Sequence, residues 1–154
     1  MIAARKQIPA LGMVVDSARL GRLAIASLHT EMACAPKPGL ITPFNSGSHD
    51  DMDASTFLRS LFALRHYFTA VARAGAAGAP FTVLRDHGIA AETAMLAATG
   101  GINTHRGAIF SLGLLVAAAA ERRRVHGHAV PAAQVCLAVQ QWKDALIAAP
   151  LDPH

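Results

Sequence analysis

Between residues 100 and 107 the chain reads Gly-Gly-Ile-Asn-Thr-His-Arg-Gly, set between two apolar, Ala-rich segments. Gly100 and Gly101 let the backbone turn sharply and come close to a bound group. Asn103 and Thr104 are helix-starting residue types. The first N–H groups of such a helix, with the positive end of its dipole, offer a place for an anion. His105 and Arg106 add two more polar or cationic groups. A helix start needs only one of these residues, so the surplus predicts a ligand, and phosphate suits it best.

Two further stretches carry chemically useful side chains. Pro36-Lys37-Pro38-Gly39 holds one ammonium between residues of fixed φ, a stiff presentation suited to a phosphate oxygen. A solvated loop lysine between helix breakers would give the same pattern. Gly47-Ser48-His49-Asp50-Asp51-Met52-Asp53 gathers three carboxylates and an imidazole that repel or strain one another unless a cation intervenes. Hard oxygen ligands of this kind suit Mg²⁺ shared with substrate phosphates, and the imidazole suits a general base or hydrogen-bond donor. The simpler alternative makes Asp53 the N-cap of the next helix and leaves the rest exposed. Glu92, alone in an apolar segment, faces either the site built by the following glycine-rich turn or water. Arg122-Arg123-Arg124 reads as a solvated helix end whose cations complement the dipole. His29 reads as surface. Cys34 and Cys136 have no metal-type spacing and read as buried free thiols.

These residues must be positioned by helices. The chain has 154 residues, 53% of them hydrophobic and only 16% charged. Mean hydropathy is +0.33, with the excess supplied by Ala, a helix former rather than a membrane-spanning signal. No apolar run reaches the ~18–20 residues of a spanning helix, and the start lacks a signal-peptide pattern. The expectation is one all-α domain over residues 1–154, cytoplasmic and free of membrane. Helical periodicity places five helices, at about 16–34, 54–74, 81–98, 104–123 and 131–148, with a long functional loop over 36–53 between the first two. Gly107 and Gly113 predict close packing of the fourth against another helix or a ligand. A net charge of +4 and a pI near 9.7 favour an anionic partner. With 5% aromatic residues there is little for bases to stack on, so nucleic acid is not expected.

In order and spacing, Pro36-Lys-Pro-Gly-Leu40, Gly47-Ser-His-Asp-Asp-Met-Asp53 with Phe57 and Ser60, Ala91-Glu92 with Met95-Leu96, and Thr99-Gly-Gly-Ile-Asn-Thr-His-Arg-Gly-Ala-Ile-Phe110 resemble the triphosphoribosyl-dephospho-CoA synthases. Those enzymes make the prosthetic-group precursor of citrate lyase and malonate decarboxylase, and this chain looks closer to the second branch. The similarity runs from about Leu20 to Ala120. It implies an all-α enzyme that transfers the triphosphoribosyl group of its substrate ATP to the 2′-hydroxyl of 3′-dephospho-CoA and releases adenine. It further implies His49, Asp51 and Glu92 as catalytic groups, and Asp51 and Asp53 as Mg²⁺ ligands. Substrate would be held by Lys37, Gly39, Ser48, Gly100, Gly101, Asn103, Thr104, His105 and Arg106.

The family is usually nearly twice as long. Later segments resembling Gly-Ala-Arg-Gly-Glu and Asp-Asp-Thr-Asn do not follow Arg124 here, and residues 125–154 are atypical. The chain is therefore expected to correspond to the N-terminal half of the enzyme, completed by a C-terminal half or a second copy. Such a half would leave apolar side chains exposed. A nucleotide-binding remnant or a split-enzyme component without turnover is the alternative. A His-Asp phosphohydrolase would pair His49-Asp50 with His29 and Asp86 or Asp144, an arrangement that leaves both glycine-rich motifs unused.

Overall fold

The computed structural model describes residues 11–149, with side chains from residue 17 onward. It is all-α: α1 (Leu11–Ala33), α2 (Ala54–Leu64), α3 (Tyr67–Ala76), α4 (Phe81–Thr99), α5 (Arg106–His126), α6 (Ala132–Val139) and α7 (Lys143–Ala148), with a 3₁₀ turn over Gln140–Trp142. All five predicted helical regions are helical. The second is divided, however, and the fifth is broken into two short helices by the 3₁₀ turn.

The break at Arg65–His66 contains neither Pro nor Gly, so tertiary packing causes it. Arg65 N–H bonds the Phe62 carbonyl three residues back instead of continuing the α ladder, and its guanidinium takes the same oxygen at 2.7 Å. The redirected chain buries Phe68, Val71 and Ala72 against α1 and α5, together with Leu64, Met95, Ile109 and Ala117. This gain outweighs continuous helix periodicity.

Small residues let α3 sit deep between its neighbours. A Cβ on Gly75 would strike the Ala117 carbonyl and Cα of α5, and one on Gly21 would strike Thr69. Gly113 makes room for the Tyr67 hydroxyl, which donates to the Ile109 carbonyl at 2.8 Å. Burial pushes the Tyr67 phenol well above its ordinary pKa. Gly113 thus packs closely as expected. At Gly107 a Cβ would meet nothing within 4 Å among the described residues, so no helix packs there.

Two other expectations are corrected. Cys34 and Cys136 are both exposed. Cys34 lies just past the end of α1, and α6 leans on the core with Val135, Ala138 and Val139 but buries no residue fully. Exposed apolar side chains do occur on α4 and near α7. The most prominent on a helix outside α7 is Phe62, 67% exposed in a groove between α1 and α2 with Arg22, His29 and Leu58. Among the described residues no helix is long and apolar enough to cross a membrane.

Overpacking the α3–α5 crossing is the sharpest test of this architecture. Gly75→Val should lower the unfolding free energy by about 3 kcal/mol or prevent folding, since rigid backbone rather than a flexible side chain opposes the new methyl groups. Gly107→Ala, with open space around it, should be neutral or stabilise by up to about 1 kcal/mol. Denaturant titration of both variants measures the contrast.

Candidate active site

The loop over residues 36–53 is an ordered structure knitted from both of its motifs. Leu40 N–H bonds the Lys37 carbonyl at 3.1 Å, and Ser48 N–H bonds the Gly39 carbonyl at 3.1 Å. Gly47 has φ +60°, and a Cβ on it would run into the Gly39 carbonyl and Leu40 backbone at about 2.6 Å. Only glycine fits there, in space and in conformation. Thr42 and Asn45 form a single antiparallel bridge, and the Thr42 hydroxyl accepts from the Phe44 and Asn45 amides at 3.2 Å. Ile41 and Thr42 are buried, which anchors the base of the loop.

Lys37, Gly39 and Ser48 come together in this fold. They line one open depression of about 600 Å³ with Pro36, Pro38 and Asn45. Lys37 is only 14% exposed, because its ammonium donates to the Glu31 carbonyl at 2.6 Å and the Glu31 carboxylate at 2.8 Å. It therefore ties the loop to the negative end of the α1 dipole. One of its three N–H groups remains.

His49 and Asp51 lie farther along the loop, with Nδ1 and Oδ1 3.9 Å apart and both side chains partly exposed. Asp53 is the N-cap of α2 in a full capping box. Its Oδ1 accepts from the Thr56 amide, the Thr56 hydroxyl and the Ser55 hydroxyl at 2.8–2.9 Å. These donors, the Thr56 amide foremost, hold the carboxyl at about 2. Oδ2 makes none of these bonds. No cluster of three or more His, Cys, Asp or Glu side chains is preassembled for a metal among the described residues. The donor set fits an ion bound by one or two carboxylates and completed by phosphates, the common Mg²⁺ arrangement.

The turn after α4 is equally fixed. Gly100 (φ +70°) and Gly101 (φ +89°) are left-handed, and the Gly101 amide reaches back to Leu96 at 2.8 Å. The Thr99 hydroxyl donates to the Ile102 carbonyl at 2.6 Å. Asn103 Oδ1 accepts from the Arg106 amide, the first N–H of α5, at 3.1 Å. Glu92, from the facing turn of α4, accepts from Arg106 Nε at 3.0 Å. Among the described residues nothing lies within 4 Å of where side chains would start on Gly100, Gly101 and Gly107.

His105 is the junction of the two regions. It is 6% exposed, not displayed to solvent as the motif alone suggests. Nδ1 lies 2.7 Å from the Ser60 hydroxyl on α2 and 3.2 Å from the Thr104 hydroxyl. The ring meets Phe57 edge-on at 4.8 Å, and the backbone N–H points at Met95 Sδ. Burial lowers the His105 pKa, and Glu31 acts on it in the opposite direction. Glu31 is the residue that Lys37 grips, and Phe57 stands one turn beyond Asp53 on α2. His105 thus holds the glycine-rich turn against α2, the helix that Asp53 caps, and feels the Glu31 carboxylate that Lys37 grips. Nothing in the sequence marks Glu31 for a role, and Phe57 and Ser60 stand out there only as members of a motif. Their spacing on the buried face of α2 was the available signal.

Residues 17–153 match the family described as ATP:dephospho-CoA triphosphoribosyl transferase. The chain belongs to this family. It is 44% identical over 128 residues to a probable 2-(5''-triphosphoribosyl)-3'-dephosphocoenzyme-A synthase of Albidiferax ferrireducens, covering 78% of this chain and 41% of that protein. A protein of the same name from Lactiplantibacillus plantarum is 47% identical over 103 residues, covering 63% of this chain and 37% of its own length. Protein CitXG of Leuconostoc mesenteroides subsp. cremoris is 45% identical over 103 residues, 63% of this chain and 22% of that protein. The chain spans about two fifths of the length of the first two of these relatives. No solved structure matches it.

The His105 junction predicts a pH dependence. An unfolded imidazole gains its proton near 6.5 and the buried one only at lower pH. The unfolded state therefore binds more protons in that window. Stability should be full above pH 6.5 and decline as pH falls below it. Melting temperatures from pH 7.5 to 5 should show this slope, and His105→Gln should flatten it. Ser60→Ala should cost about 1–3 kcal/mol by stripping a buried polar partner.

Proposed function

We propose that this chain binds ATP for transfer of its 5-triphosphoribosyl group to the 2′-hydroxyl of 3′-dephospho-CoA, with release of adenine. The observation that carries the reading is the packing of the glycine-rich turn, through His105, on Ser60 and Phe57 of the helix that Asp53 caps, in a chain whose family is described by that transfer.

The bond from ribose C1′ to adenine N9 breaks and the acceptor hydroxyl oxygen bonds to C1′. The hydroxyl loses a proton and adenine gains one. Positive charge develops on the sugar, so catalysis needs nearby carboxylates, a base, and firm anchoring of the retained triphosphate. Arg106, oriented by Glu92, and the open start of α5 serve the triphosphate, with the remaining Lys37 N–H. His49 takes the hydroxyl proton, with Asp51 Oδ1 3.9 Å from its Nδ1. Asp51 and Oδ2 of Asp53 would hold Mg²⁺, which supplies charge neutralisation for the phosphates. Asn103 and His105 act by holding the turn in place.

Binding without turnover is the second reading. Leu23, Leu58 and Phe62 stand exposed along α1 and α2, which supports a further protein surface, from a second copy or additional family sequence, closing the site before chemistry proceeds.

Calorimetry with ATP and Mg²⁺, alongside chromatographic detection of adenine after adding 3′-dephospho-CoA, tests both readings. ATP should bind, and Arg106→Ala or Lys37→Ala should weaken it by about 10- to 100-fold, the value of a charge-assisted contact. Asp51→Asn should reduce the Mg²⁺ dependence of binding. Adenine formed in step with consumption of dephospho-CoA selects transfer, and tight or weak binding without adenine selects the second reading. Unchanged affinity in the Arg106 variant would remove the glycine-rich turn as the triphosphate site.

A further inference from the structure

Phe44 is 84% exposed, the most exposed large apolar side chain of the described residues. Its exposure is imposed by the fold. The Thr42–Asn45 bridge and the two amides held by the Thr42 hydroxyl make a tight turn on buried Ile41 and Thr42, with residue 44 at its outer edge. Holding a phenyl ring in water forgoes roughly 1.5–3 kcal/mol of burial, so a fixed ring at such a place is a surface awaiting a flat apolar partner.

The surroundings narrow that partner. Phe44 lines the same depression of about 600 Å³ as Lys37, Asn45 and Ser48. The Asn45 oxygen is engaged with the Gly47 amide, which turns the matter of pairing over to its NH₂ group. Neither that NH₂ nor the Ser48 hydroxyl hydrogen-bonds another described residue. Pro36 and Pro38 add apolar walls. An aromatic face beside free donors and an ammonium suits a purine ring bearing phosphates.

We infer that the Phe44 turn is a purine-stacking subsite, in which the ring of Phe44 covers the adenine of a substrate while Asn45 and Ser48 bond its edge. This rests on the functional reading above, whose two substrates both carry adenine. The shared chemistry is the adenine ring, and titration with each substrate separates the sources.

The test uses the full chain, titrated with ATP, with 3′-dephospho-CoA and with tripolyphosphate, which has no base. Stacking is worth enough that Phe44→Ala should weaken the adenine ligand about tenfold or more, leave tripolyphosphate affinity unchanged, and leave the melting temperature unaltered because the side chain is exposed. Phe44→Tyr should retain affinity. Phe44→Trp adds a reporter against the single buried Trp142, and its fluorescence should be quenched by ATP or by dephospho-CoA but not by tripolyphosphate. Equal adenine-ligand affinities for the wild type and Phe44→Ala would overturn the subsite and leave the functional reading standing. A loss shared equally by tripolyphosphate would overturn it too. Failure of the wild type to bind either adenine ligand would overturn the functional reading and the subsite together.

Discussion

The hydrogen bond between His105 and Ser60 is a polar contact buried among Phe57, Met95 and Ile109, where neither partner can turn to water instead. Such a pair resists displacement, because separating it leaves two dry polar groups unsatisfied. Its place in the molecule gives it reach. Ser60 belongs to the helix that the loop motif caps, and His105 ends the turn that starts α5. The start of α5 is therefore held against α2 by one short contact and the rings packed around it.

Around this junction, residues that look like ligands are used first as internal ties. Asp53 caps α2, Asn103 accepts the first amide of α5, Lys37 holds the end of α1, and Glu92 holds Arg106. Each tie leaves part of the group's bonding capacity, such as one Lys37 N–H and the second Asp53 oxygen. A side chain already fixed by a neighbour loses little further freedom when it meets a substrate, which is how a supporting shell improves a site. The double use also explains why the turn carries more polar residues than a helix start requires.

The scaffold makes this possible with few charges. α3 approaches α1 and α5 through Gly21, Gly75 and Gly113, and the remaining contacts are Ala-rich. Close backbone approach raises the number of dispersion contacts between helices that have few large side chains. The same economy leaves the core intolerant of added volume at these crossings.

The all-α character, the ends of the long loop and the cap at Asp53 were legible in the sequence. They depend on local patterns: helical periodicity, helix breakers, and residue types at set spacing. Family membership was legible for the same reason, since motifs are strings. The break between Leu64 and Tyr67 was not, because local propensity favours one helix and only burial of Phe68 and Val71 opposes it. Nor was the exposure of Cys34 and Cys136, which depends on what packs over α6 and the end of α1. The inward turn of His105, the grip of Glu31 on Lys37 and the outward Phe44 ring were likewise decided by tertiary structure. A side chain's type states what it can bond, but which partner it meets depends on residues brought together from 45 positions away, as Ser60 and His105 are.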